Sequence, residues 1–284
     1  QILSYIKRET LFRIFIKKII MKQQPYNATV IGKIQLTPDL MILRVRADEP
    51  KQLFKAGQYI KVGLLASEPR SSNSVMPIER QNPEKIISRP YYIASVDSNV
   101  QEFEFYISQV KSGQLTPRLF NLSQGRRIWL DEKITGIFDL NSVPKESDLV
   151  MIATGTGLSP YISFLRSHIK DNKNRRMIVI HGAAYRWDLG YFSELNLLND
   201  NFDNFSYFPT LIKIDDSWKG LTGYIEKHIL DGFIENHTQI ELNPEKTHIF
   251  LCGNPNMTES VSKYLAKNGY AEDCKGNCGS LHVE

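Results

Sequence analysis

The sequence predicts two domains of different class in one chain, an antiparallel β-barrel followed by a doubly wound parallel sheet with helices. Three observations carry this. The chain has 284 residues, 42% of them hydrophobic and 23% charged, which suits a globular protein long enough for two domains. From Tyr26 to about Asn141, short runs rich in Val, Ile, Tyr and Phe are separated by turn residues. After Pro144 the period changes, and strand-like runs alternate with stretches of helical spacing.

In the first half ATVIGKI, LMILRVRA, GQYIKVGL, YYIASV and EFEFYISQV read as strands, with TPD, GQ and DSN as turn signals. EFEFYISQV alternates strictly, which predicts a strand wet on one face. Strands at this spacing suit a small antiparallel barrel. The polar stretch SEPRSSNSVMPIERQNPEK, an insertion around residues 66–88, has the composition of an exposed, mobile loop and is assigned no function. In the second half DLVMIA, RMIVIHG, FSYFPTLIK and THIFLCG are strand-like. LSPYISFLRSHIK, DLGYFSELNLL, LTGYIEKHIL and PNMTESVSKYLAK are helical. Such alternation gives a parallel sheet with helices on both faces, which binds ligands at the carboxyl ends of its strands. The pattern sets the limits at 25–143 and 144–284, with 1–24 as a separate basic and apolar segment.

Charge narrows the function. Lys and Arg number 35 against 31 Asp and Glu, and residues 1–20 hold five of the former (Lys7, Arg8, Arg13, Lys17, Lys18) and one of the latter, Glu9. Set aside, they leave a neutral body, which argues against a nucleic-acid binder. Three cysteines are too few for a disulfide scaffold or the four thiolates of an iron–sulfur cluster, and no metal site is expected. Charge interrupts QILSYIKRETLFRIFIKKII too often for a transmembrane span. It reads as a targeting stretch, an interfacial helix, or residues preceding a true start at Met21. A cytoplasmic monomer is expected.

Three turns carry the chemistry. In ATGTGLSP, Gly155 and Gly157 flank Thr156 between a strand and a helix, so the backbone can bend tightly and present free N–H groups to an anion. In LCGNPNM, Cys252 ends an apolar strand, Gly253 and Asn254 turn the chain, Pro255 suits a helix first turn, and Met257 follows. In SRPYYIAS, Arg89 is a fixed fork for a phosphate. Tyr91, past Pro90 on the same strand face, offers a ring to a flat cofactor. Singly these are commonplace: a structural Gly-rich turn, a buried Cys, an Arg and a Tyr on a strand.

Together, in this order, they resemble the ferredoxin–NADP reductase family, specifically its bacterial-type flavoproteins, over about residues 25–284. SGQLTPRLFNLSQG resembles that family's flavin-diphosphate turn, HGAAYRWDLGY and GLTGYIEK its adenosine-end segments, and SLHVE its tail. The resemblance implies an FAD-binding barrel and an NADP-binding domain. Arg89 and Thr116 would hold the FAD diphosphate, with Pro90 and Leu115 among the contacts, Tyr91 against the isoalloxazine, and Tyr106 as a further flavin contact. Gly155, Thr156 and Gly157 would cradle the pyrophosphate of NADP(H). Gly253, Asn254, Pro255 and Met257 would line the same site. Cys252, Tyr92 and Glu284, the last a proton-relay candidate, are the expected catalytic residues.

The chain departs from the family at four places. Tyr92 stands where the flavin motif has a small hydroxyl. At the 2′-phosphate pocket Ala184 replaces an Arg, with Arg186 two residues on, while Lys213 and Tyr224 replace two more. Family tails run past H-V-E to an aromatic residue, and a cut-short sequence rather than a true loss is expected at Glu284. The insertion is the fourth departure. The leading expectation is an FAD-dependent oxidoreductase between NADPH and ferredoxin or flavodoxin. A basic patch on the barrel (Arg44, Arg46, Lys51, Lys55, Lys61, Arg118, Arg126, Arg127) would meet that acidic carrier. An NADH-dependent flavin reductase serving an oxygenase or haem protein is one alternative. A non-enzymatic flavin or nucleotide sensor is another.

Overall fold

The computed structural model describes residues 25–76, 82–171, 173–274 and 278–284. The N-terminal segment and residues 77–81 of the insertion lie outside them. The barrel strands are β1 (Ala28–Thr37), β2 (Leu40–Ala47), β3 (Tyr59–Leu65), β4 (Ile86–Tyr92), β5 (Glu102–Ser108) and β6 (Arg127–Thr135), all antiparallel, in the order β4-β3-β6-β1-β2-β5. Just past β4, Ala94 N–H donates to Glu104 O at 2.8 Å and brings the two edges together. A short helix, α1 (Thr116–Asn121), covers one end.

Two details differ from expectation. RIWLDEKIT is a strand, β6, although the charges of Asp131, Glu132 and Lys133 mask its pattern. The RPYY motif ends its strand rather than opening one. Pro90 is tolerated there because β4 is an edge strand paired only with β3, so its missing N–H breaks no second ladder.

The second sheet is wholly parallel: β7 (Asp148–Thr154), β8 (Met177–Ala183), β9 (Phe205–Leu211), β10 (Leu221–Thr222), β11 (Thr247–Cys252) and β12 (Leu281–Val283), in the order β10-β9-β8-β7-β11-β12. Helices α2 (Ser159–His168) and α3 (Phe192–Asn201) pack on one face. α4 (Ile225–Leu230), α5 (Phe233–His237) and α6 (Pro255–Lys267) pack on the other. Strand β7 shows why both faces are apolar. Leu149 and Met151 enter the core under α2, while Val150 and Ile152 enter the core under α4 and α6. The chain order reverses between β7 and β11, so a crevice opens at their carboxyl ends.

The two domains share a core. Leu40, Ile42 and Tyr106 of the barrel join Met151, Tyr161 and Phe250 of the second domain, and Phe138 of the connection packs edge-on to Phe250 at 5.2 Å. Strand β5 is therefore buried on both faces along its middle. Phe103, Phe105 and Ile107 fill the barrel, while Glu104 and Tyr106 are buried against the other domain. Glu104 takes Arg44 Nε at 2.6 Å on one oxygen, and Arg166 Nη1 at 2.7 Å with the Tyr191 hydroxyl at 2.9 Å on the other. Burial alone would push this carboxyl up, but Arg166, Arg44 and Tyr191 outweigh it and hold it below the usual carboxylate range. Arg166 in turn grips Glu194 through two nitrogens, at 2.7 and 2.8 Å.

Candidate active site

The crevice is built by two turns packed against each other. After β7 the chain makes a single 3-10 turn, Gly155–Leu158, and runs into α2. Gly155 takes a positive φ of 53°, which a side chain would strain. Gly157 is required by contact, since a Cβ there would lie 2.3 Å from the Cys252 carbonyl oxygen. After β11, Gly253 has φ 137°, and a Cβ on it would strike Thr154 Oγ1 at 2.2 Å. Thr154 Oγ1 accepts the Asn254 N–H at 2.7 Å, and Asn254 Oδ1 caps α6 by accepting the Asn256 N–H at 2.8 Å. Pro255 opens that helix, and Met257 is buried beneath it.

A cleft of about 710 Å³ runs from these turns between the domains. Gly155, Thr156, Gly157, Gly253, Asn254, Met257 and Tyr224 line it on one side, and Thr37, Asp39, Leu40 and Ser108 of the barrel on the other. Backbone N–H groups at the start of α2 and the positive end of that helix suit an anionic pyrophosphate.

Two supports of this cleft were missed in the sequence. Thr154, the strand-end residue before the glycines, ties one turn to the other. His181, wholly buried in β8, places Nε2 3.2 Å from Gly155 O and Nδ1 3.4 Å from the Tyr207 hydroxyl. A carbonyl only accepts, so Nε2 carries the proton. Burial pulls the imidazole down to about 4, with the Gly155 carbonyl opposing, and the ring is neutral. A lone His closing an apolar strand one residue before Gly182 was the available signal.

Cys252, Glu284 and Tyr92 are brought together at the carboxyl end of β11. Burial, then the charge of Glu284, pushes the Cys252 thiol up to about 12, so it is a neutral S–H and not a thiolate. Glu284 is tied in place by its own N–H, which donates to Leu251 O at 3.0 Å. Burial, then Glu284 and Cys252, likewise raises the Tyr92 hydroxyl. The Tyr92 ring packs edge-on to Tyr59 at 6.1 Å and against Phe138 at 6.0 Å, within the apolar contact between domains.

On the barrel, Arg89 and Pro90 are exposed on β4, and Tyr91 is half-buried with its ring edge-on to Phe105 at 6.3 Å. Arg89 Nη1 donates to the neighbouring Ser88 O at 2.7 Å, and among the described residues no carboxylate pairs with it. Thr116 Oγ1 accepts the Val110 N–H at 2.9 Å and fixes the turn before α1. An exposed guanidinium, a half-buried aromatic ring and a fixed turn fit a flat cofactor with a diphosphate.

Several expectations are corrected. Leu115 is buried in the barrel core, so its side chain does not face a ligand. Tyr106 is not open to a flavin: its hydroxyl donates to Asp188 O at 2.9 Å and accepts the Gly190 N–H at 3.0 Å, which locks the ring between the domains. The described part of the insertion is pinned rather than loose. Ser71 N–H donates to Pro117 O and Val75 N–H to Lys111 O, while Arg70 bonds three carbonyls of the same region.

The barrel's basic patch is largely neutralised. Arg44, Arg46, Lys51, Lys61, Arg126 and Arg127 each face a carboxylate, and Lys55 is bound to Asn141. Arg118 is buried, donating to Gln114 O and Ala66 O. The cause is partly register: Arg44 sits opposite Glu104 and Arg46 opposite Glu102 in the β2–β5 ladder.

At the far rim, Lys213 Nζ donates to the Tyr185 hydroxyl at 2.8 Å, and Arg186 Nη1 donates to Ser217 Oγ at 3.2 Å. Tyr224 is exposed beside the cleft. Ala184, one of the departures from the family pattern, lies on the cleft wall.

The family described as "Oxidoreductase NAD-binding domain" matches residues 151–263, the span that holds both strand-end turns. The chain is 31% identical over 227 residues to the flavodoxin/ferredoxin–NADP reductase of Buchnera aphidicola subsp. Baizongia pistaciae, covering 80% of this chain and 85% of that one. It is 30% identical over 233 residues to the Escherichia coli protein of the same name, covering 81% and 86%. Its fold superposes with a TM-score of 0.77 on a Neisseria gonorrhoeae ferredoxin NADP+ reductase crystallised with FAD and NADP, at 23% identity over 92% of this chain and 98% of that chain. The chain belongs to the flavodoxin/ferredoxin–NADP reductase family.

Proposed function

We propose that this protein is an FAD-dependent reductase that moves electrons between NADPH and a one-electron carrier, ferredoxin or flavodoxin. The observation that carries the reading is the pair of interlocked turns at the switch point, opening onto a cleft whose other wall is the flavin-motif barrel. FAD supplies the chemistry, accepting a hydride and giving up electrons one at a time. The chain's own residues bind and orient. Arg89 offers a charge-assisted contact to the FAD diphosphate, and Tyr91 a ring face to the isoalloxazine. The Thr154–Leu158 and Cys252–Asn254 turns, which interlock, would hold the pyrophosphate of NADPH, with Cys252 at the nicotinamide end. Cys252 contributes a neutral thiol. Glu284 and Tyr92, in mutual electrostatic contact, are placed to hold or relay a proton at that end.

The test is direct. The purified protein should be yellow with bound FAD, and should reduce ferredoxin or flavodoxin with NADPH. Arg89→Ala should lose flavin, since a contact to a charged group is worth about 1.5–3 kcal/mol. Full flavin occupancy in that variant would remove Arg89 from the site, and absence of carrier reduction would refute the activity. A second reading, NADH-dependent flavin reduction for an oxygenase or haem protein, draws on Ala184 and Tyr224, since among the described residues no guanidinium lines that wall of the cleft. Comparing kcat/KM for the two coenzymes separates them.

A further inference from the structure

We propose that His282, oriented by Asp273, is a positioning residue that seats the Glu284 carboxylate beside Cys252 and Tyr92. This rests on the role given to Glu284 above. Strand β12 is three residues long, lies at the edge of the parallel sheet and pairs only with β11. So short an edge strand needs more than its ladder to stay in place. Its side chains alternate, so Leu281 and Val283 enter the core under α4 and α6. His282 and Glu284 turn to the opposite face, the one that meets the barrel.

His282 is buried there, and its ring stacks on Phe250 with centroids 4.1 Å apart and planes 9° from parallel. Phe250 packs on Phe138, and Phe138 on Tyr92, so the His282 ring joins the shared core that holds Tyr92. Both ring nitrogens are engaged. Nδ1 lies 3.2 Å from Asp273 Oδ2, and Nε2 lies 3.0 Å from His248 Nδ1 on β11. Asp273 is fixed in turn. Its Oδ2 accepts the Ser142 hydroxyl at 3.0 Å, its Oδ1 accepts the Gly279 N–H at 3.3 Å, and its own N–H donates to Leu281 O at 2.7 Å. Ser142 belongs to the connection between β6 and β7, so one carboxylate ties that connection to β12.

The protons of this chain are determined. A carboxylate only accepts, so His282 Nδ1 carries the proton. Burial pulls both imidazoles down and keeps them neutral, so His282 Nε2 accepts and His248 Nδ1 donates. The bonds therefore run in one direction, from His248 through His282 to Asp273. A ring flip would break both. With the ring locked, the backbone two residues on has one position. Glu284 N–H meets Leu251 O at 3.0 Å, and the Glu284 charge adds to burial in raising the Tyr92 hydroxyl and the Cys252 thiol.

The test reads two quantities on the flavin-loaded protein: hydrogen exchange of the Glu284 N–H, and carrier reduction with NADPH. His282→Phe keeps an aromatic ring for Phe250 and removes both hydrogen bonds. It should speed exchange at Glu284 about tenfold and lower kcat about tenfold, with KM within about twofold. In a Glu284→Gln background the same change should lower kcat no further. His282→Asn keeps an N–H for Asp273 and should return kcat to within about threefold of wild type. Ser142→Ala removes one exposed contact to the same carboxylate without emptying the core, and should produce the same pattern at about twofold. Unchanged FAD content would establish that the variants fold.

The proposal is overturned if neither His282→Phe nor Ser142→Ala alters exchange at Glu284. It is also overturned if His282→Phe costs the same kcat with and without the Glu284 carboxylate, which would make it a general support of the fold. Failure of the underlying reading looks different. Glu284→Gln would then keep full kcat while His282→Phe still loosened the tail, which would uphold the seat and strike the role of the carboxylate.

Discussion

At the ends of β7 and β11 the nucleotide cleft is walled by backbone, and at the rim beyond β8 and β9 it is walled by exposed side chains. The strand-end turns interlock through Gly157 against the Cys252 carbonyl and Gly253 against Thr154, contacts that leave no room for a methyl group. The charged ends at the rim are held by side-chain hydrogen bonds, Lys213 to Tyr185 and Arg186 to Ser217. The departures from the family pattern at the 2′-phosphate pocket, Ala184, Lys213 and Tyr224, all fall on the rim, while G-T-G and C-G-N-P are intact. The difference separates two tasks. On the proposed function, placing the pyrophosphate and nicotinamide would depend on steric fit that tolerates almost no change. On the same reading, choosing between coenzymes would fall to solvated charges, each worth little and replaceable one at a time.

The largest effect should come from breaking the backbone end. Gly157→Ala sets a methyl carbon 2.3 Å from Cys252 O and 2.6 Å from its carbonyl carbon. Neither is a side chain that can swing aside. Overpacking of this kind costs roughly 1–3 kcal/mol, and here the strain separates the two turns that frame the pyrophosphate. A lowered Tm together with at least a tenfold rise in the NADPH dissociation constant is expected. An unchanged Tm with normal NADPH binding would mean that the turns are not in contact in solution.

The same end should be acid-sensitive through His181. Its folded-state value, about 4, lies below its ordinary value of 6.5. The unfolded chain therefore binds the extra proton over that interval. The stabilisation is fully present above pH 6.5 and is lost as pH falls toward 4, by up to roughly 3 kcal/mol for a wholly buried ring. His282 on β12, His248 on β11 and His168 at the end of α2 are lowered in the same direction by burial, so the wild-type decline belongs to all four rings. His181→Gln keeps a donor for the Gly155 carbonyl but cannot titrate. Urea unfolding between pH 7 and pH 4 should show a shallower decline for that variant. Parallel curves would remove His181 from the effect.

Legibility in the sequence follows the same division. The strand-end turns could be read because their constraint is local: only glycine fits a positive φ or a backbone contact at a strand end. What covers a strand cannot be read from its period. Alternation in EFEFYISQV correctly separates Phe103, Phe105 and Ile107 from Glu104 and Tyr106, yet the partners that bury the second set, Arg166, Tyr191 and Asp188, come from far along the chain. Cations pose the same problem. Arg44 and Arg46 look free until the register sets Glu104 and Glu102 opposite them, and Arg186 looks like a phosphate fork until Asp215 is seen behind Ser217. The insertion misled for a related reason, since its polar composition does not reveal that Arg70 bonds the carbonyls beside the α1 turn.

The smallest effect should come from the rim, and it sharpens the comparison by adding a charge instead of removing a contact. Ala184 is exposed on the cleft wall, and its carbonyl already takes the Lys213 N–H, so the backbone is held whatever side chain it carries. Ala184→Arg places a guanidinium beside Lys213, where the family has one. An exposed charge contact is worth at most about 1 kcal/mol, though the planar fork can engage a phosphate through two nitrogens. Repulsion from Lys213 offsets part of the gain. The net expectation is an increase of about two- to fivefold in kcat/KM for NADPH, carried by KM, with NADH unchanged and the gain shrinking as salt rises. Tm should not move, in contrast to Gly157→Ala. If both coenzymes gain equally, the added charge acts on the shared pyrophosphate and the rim does not discriminate. A loss for NADPH would mean that Lys213 is displaced from Tyr185, which unchanged NADPH kinetics in an Ala184→Gln control would confirm as an effect of charge rather than size.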